Sequence, residues 1–174
     1  MAKKHRRGAA VSAHALPNLH ARDRWFTAAK VMLTLSPLLA LGYLQVAVTG
    51  SGMQISELLA QNPEITVSFL ASMTGPFIAY LMKFVQNHLY DGDAAYAMTN
   101  LTMMLIAEAM LSNTFYFIMM IVLIYFVFTM TGIHPIAAIR EKLHDHFWRD
   151  ISGSIALLIL SAFCMFVSIR LGIR

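Results

Sequence analysis

One carboxylate stands alone in a long apolar stretch. The run LTMMLIAEAMLSNTFYFIMMIVLIYFVF, residues 101–128, carries no charged side chain except Glu108. An acid near a bilayer centre costs about 2.5–3.5 kcal/mol on insertion scales. Such a group binds a proton, a cation or a basic ligand. Otherwise it holds helices together as a protonated or hydrogen-bonded acid, with Asn100, Thr102, Ser112 or a neighbouring span as its partner. Glu108 is therefore the candidate ion or proton site.

A second polar group lies further on. Glu141 and His144 are three residues apart and share a helical face, a spacing that can serve a metal. They are weak metal candidates, because no second E-x-x-H and no H-E-x-x-H accompanies them. His144 and His146 diverge on a helix and cannot chelate together. His5, His14 and His20 read as solvated tail residues. Asp91, Gly92 and Asp93 begin like a calcium loop, but the rest of the ligand series is missing, so a turn is expected. The single cysteine, Cys164, excludes an intrachain disulfide and a cysteine zinc site. A methionine-lined copper path through Met98, Met103, Met104, Met110, Met119, Met120 and Met130 is weighed against plain gap-filling, which is the commoner use. No nucleophile elbow, phosphate loop or dinucleotide fingerprint is present, so no catalytic residue and no cofactor is expected.

The composition places these groups in a membrane. The chain has 174 residues, 58% apolar and 13% charged, and a mean hydropathy of +0.62. Soluble domains run about 45–50% apolar and about 25% charged. Between Asp93 and Arg140 the only charge is Glu108, too little to solvate the outer faces of a soluble fold.

Residues 1–24 form a basic tail expected on the cytoplasmic side. Lys3, Lys4, Arg6, Arg7, Arg22 and Arg24 would meet anionic headgroups there, with Trp148 as a further headgroup contact. The tail lacks the interleaved aromatics of a nucleic-acid binder, so no nucleic-acid partner is expected. The apolar run after it is too long for a signal-peptide core and reads as a retained span.

Residues 25–174 then form one transmembrane domain. Spans are expected at about 28–48, 65–85, 95–111, 115–133 and 151–169, with an amphipathic surface helix at about 136–149. Residues 49–64 contain no Lys or Arg and two acids, Glu57 and Glu64, as an external loop should. Pro37 and Pro76 predict kinks. The 36 residues from Met98 to Ile133 would extend about 54 Å as one helix, against about 30 Å of hydrocarbon. A hairpin turning at Ser112, Asn113 and Thr114 is therefore expected, with a single long helix, and so four spans, as the alternative. The hairpin places Glu108 about one turn from the outer surface.

Ala71, Gly75 and Ala79 recur every four residues, and Ser154, Ser161 and Ser168 every seven. Both sets put small residues on one helix face and suit close helix packing, within the chain or against a partner or second copy. The expected fold is thus an all-α polytopic membrane bundle in the cell membrane, N-terminus inside. The leading functional expectation is a subunit, regulator or accessory factor of a membrane complex that acts through helix–helix contacts. A small transporter or channel using Glu108 is the alternative. A membrane enzyme acting on lipid through His144 or His146 is the weaker one.

Overall fold

The computed structural model describes residues 19–144 and 147–172, which are helical apart from short turns. Helix α1 spans Leu19–Ser51 (33 residues) and passes through Pro37 without a break. Proline withholds the N–H that the Leu33 carbonyl would otherwise accept. Ser36 Oγ lies 2.8 Å from that same carbonyl and 2.8 Å from the Ser72 carbonyl, so its one proton is shared between them. One hydroxyl therefore repairs the proline gap and ties α1 to the next span.

A short helix, α2 (Ile55–Gln61), follows, and then α3 (Pro63–Met73) and α4 (Gly75–Tyr90). The kink expected at Pro76 falls at Thr74, because a proline is best placed in the first turn of a new helix. Helices α3 and α4 together make one apolar crossing, Pro63–Tyr90. The Asp91–Asp93 segment is a turn: Gly92 takes φ +84°, and Asp93 caps helix α5 (Ala94–Met110) by accepting from the Tyr96 N–H at 3.0 Å.

The long apolar stretch is a hairpin. Helix α5 stops at Met110 and α6 runs Thr114–Thr131, joined by Leu111–Asn113 with Ser112 at φ +57°. Helix α7 (Pro135–His144) and α8 (Phe147–Arg170) complete the chain. Among the described residues, four helical segments are long and apolar enough to cross a membrane: Asp23–Ser51, Pro63–Tyr90, Thr114–Thr131 and Ile151–Arg170. This is an all-α membrane bundle. Helix α5, 17 residues long, was expected as the third of five spans and is not among these four. It is enclosed by α4, α6, α7 and α8.

Helix α5 forms the centre of the core. Ala95, Ala97, Met98, Thr99, Asn100, Leu101, Met104, Ala107 and Glu108 are all buried along it. Met82 and Met120 pack with Met98 and Met104 in the same core, the gap-filling role that flexible side chains suit. Helix α7 meets α5 through buried Ala138, while Ile136 stands 82% exposed. A close helix crossing selects the smaller side chain, so Ile136 turns away from the bundle.

The helices do not reach equal heights. The Trp25 ring lies 6.1 Å from Phe126, the Tyr116 hydroxyl donates to the Met32 carbonyl at 3.1 Å, and Gly75 packs against Leu33 and Ser36. The first two contacts, between α6 and α1, set the α5–α6 turn about level with Ser36–Pro37 at 1.5 Å per residue, and the third brings the α3–α4 break to the same height. Helix α1 continues to Ser51, ~21 Å further at 1.5 Å per residue. Helix α3 touches α1, α2, α4 and α8, and among the described residues neither α5 nor α6. The turn was expected at the level of the external loop. It lies below that because α5 has only 17 residues and starts at the tail end of the bundle.

Candidate functional site

Glu108 is 1% exposed, and its Oε2 makes no hydrogen bond. It lines a cleft of about 330 Å³ at the hairpin, together with Ala109, Ser112, Asn113, Thr114 and Phe117. The last turn of α5 places the carboxylate, and the first turn of α6 places Phe117. The linking residues hold by backbone bonds: the Asn113 N–H donates to the Glu108 carbonyl at 3.2 Å and the Thr114 N–H to the Ser112 carbonyl at 3.1 Å. Ser112 and Thr114 are exposed and Asn113 is half-buried. Helix α5 ends where α6 begins, so the two helix dipoles offset each other at the cleft. The carboxylate then decides the sign of the site.

A polar line runs down the α5–α8 contact. Ser154 Oγ donates to Asn100 Oδ1 at 2.6 Å, fully buried. Lys142, near the end of α7, pairs with Asp93 at the start of α5 at 2.7 Å. Together these contacts make α5 and α8 run in the same direction. Seven residues beyond the Asn100–Ser154 pair, Ser161 comes level with Ala107 and Glu108. Ser161 is fully buried and its hydroxyl is unpaired, as is that of Thr99. Unpaired buried polar groups are rare and costly, and they mark places where a ligand, water or proton belongs.

No family model, curated protein or solved structure matches this chain.

The remaining site candidates separate by position. Ala71, Gly75 and Ala79 are buried. A Cβ on Gly75 would collide with Ser36 Oγ and the Leu33 carbonyl oxygen, so this face lies against α1 of the same chain. Ser154, Ser161 and Ser168 are buried too, and α8 packs on α5. Both small-residue faces are therefore used inside the chain. Arg24 is exposed. Lys3, Lys4, Arg6, Arg7 and His146 lie outside the described residues, as do the side chains of Arg22, Glu141, His144 and Trp148. Among the described residues no group of three or more His, Cys, Asp or Glu could hold a metal.

One cluster has no signature in the sequence. At the tail end, Tyr90 donates to the Asp23 carboxylate, Gln86 Nε2 donates to Asp23 Oδ1 at 3.2 Å, and Lys30 Nζ donates to Gln86 Oε1 at 2.6 Å. This network joins α1 to α4. Its cross-helix partners are 56 to 67 residues apart, so nothing local in the sequence announces the pairing. Tyr116, Ser36 and Phe117 are likewise ordinary in sequence and come near the hairpin only in the fold.

Proposed function

We propose that this small polytopic membrane protein binds a proton or a cation at Glu108, reached through the cleft at the α5–α6 turn. One observation carries the reading: a carboxylate that is 1% exposed, with an unpaired oxygen, facing a cleft of about 330 Å³. A structural acid would spend that oxygen on a neighbouring helix. Asn100 and Ser154 do so for each other nearby, and Ser36 does so between α1 and α3. Glu108 does not. The subunit or regulator reading drew on two small-residue faces, the basic tail and the surface helix, and both of those faces pack inside the chain.

The test is spectroscopic. Infrared difference spectra of the purified protein across a pH titration should carry a protonated-carboxyl band that disappears in Glu108→Gln. The same variant should lose protein-dependent proton or cation movement in proteoliposomes while keeping its helical content. A titrating band that persists unchanged in the variant refutes the site.

A further inference from the structure

We propose that the Glu108 cleft is a water-filled vestibule that takes a small organic ammonium ion, with its charge on the carboxylate and its apolar arm against Phe117. This rests on the Glu108 reading above and names the class of ligand.

The depth of the turn comes first. It stands level with Ser36–Pro37, inside the Asp23–Ser51 crossing. Non-helical backbone at such a depth persists only where protein buries it or water reaches it. Protein does not bury it here, since Ser112 and Thr114 are exposed. Water therefore enters from the end of the bundle where α1 runs on past the turn.

The lining selects the ligand. A volume of about 330 Å³ lies in the range of small-molecule sites, about 300–1,000 Å³. A bare divalent ion takes about six or more oxygens at fixed short distances, and of the lining residues Glu108 alone carries a charged one. Among the described residues no Lys, Arg or His lines the cleft, so the lining offers the charge of Glu108 no cation. The remaining lining residues are Ala109 and Phe117, with the polar Ser112, Asn113 and Thr114. An aromatic side chain in the same lining as a carboxylate suits an alkylated ammonium, which is weakly hydrated and draws on cation–π attraction.

Benzyltrimethylammonium is the probe, measured by equilibrium dialysis against the purified full chain in nanodiscs. Glu108→Gln should weaken binding about 30-fold or more, and Phe117→Leu about two- to thirty-fold. Neopentylbenzene, the uncharged carbon isostere, should fail to displace the probe. Equal binding by Glu108→Gln, or displacement by the isostere, overturns the proposal. In a Cys164→Ser background, Asn113→Cys should react with a membrane-impermeant thiol reagent and be protected by the probe. A cysteine there that does not react overturns the vestibule. A carboxyl band lost in Glu108→Gln without any probe binding overturns the organic ligand and leaves the proton site standing. A band that persists removes the site itself.

Discussion

Gly75→Ala should separate α1 from α4. A Cβ at this position meets the Leu33 carbonyl oxygen and Ser36 Oγ inside contact distance, and Ser36 Cβ at 3.2 Å. The hydroxyl can rotate, but the carbonyl belongs to the α1 backbone and cannot. Helix α1 must retreat, and the Ser36–Ser72 bond of 2.8 Å goes with it. Overpacking costs about 1–3 kcal/mol, and a lost interhelical hydrogen bond in a membrane averages about 0.6 kcal/mol. The expected loss is about 1.5–3.5 kcal/mol. It can be read from reversible unfolding in mixed micelles followed by circular dichroism. Gly42→Ala is the matched control, because a Cβ there meets nothing within 4 Å, and the better helix former should leave stability equal or slightly raised. If Gly75→Ala stays within about 0.5 kcal/mol of the parent, or if the control costs as much, the close-approach argument is refuted.

Other outcomes can be checked on the same protein. Asn100→Leu should destabilise by about 1–2 kcal/mol, and a cycle with Ser154→Ala should show coupling between the two; additive effects would deny the buried bond. Ser112→Gly should raise the melting temperature, since a non-glycine residue at φ +57° costs about 1–2 kcal/mol; a lower melting temperature would deny the strain. Lys142→Ala should speed amide exchange across residues 135–144 by releasing α7 from Asp93, while leaving α1 unchanged; equal exchange would show that Ala138 alone docks the helix. Single cysteines at Ser51 and Gly172, in a Cys164-free background, should label from the same side of the membrane. Labelling from opposite sides would refute the shared direction of α1 and α8.

Much of the helical order is legible in sequence. Apolar length marks Val31–Val48, the 65–85 segment and the last span, and the acids and missing basic residues of 49–64 mark a loop that holds α2. The hairpin follows from arithmetic, since 36 residues exceed one crossing and Ser112–Thr114 are poor helix formers. The break at Thr74 was less legible. Pro76 announces a kink, but its position depends on which residue can surrender its hydrogen bond, and Gly75 is held there by contact with α1.

Sequence alone determined the class of protein, the place of the hairpin and the identity of the one acid in the apolar core. These follow from local composition and from the hydrocarbon thickness, neither of which needs a partner helix. Only the tertiary structure decided the height of the α5–α6 turn, because heights are set by contacts such as Trp25–Phe126 and Tyr116–Met32 between distant segments. That height changes the reading of Glu108. Counted along the chain, the acid lies one helical turn from a loop. In the bundle it is the buried floor of a cleft, with Ser161 level across the α5–α8 contact and no helix supplying its second oxygen with a donor.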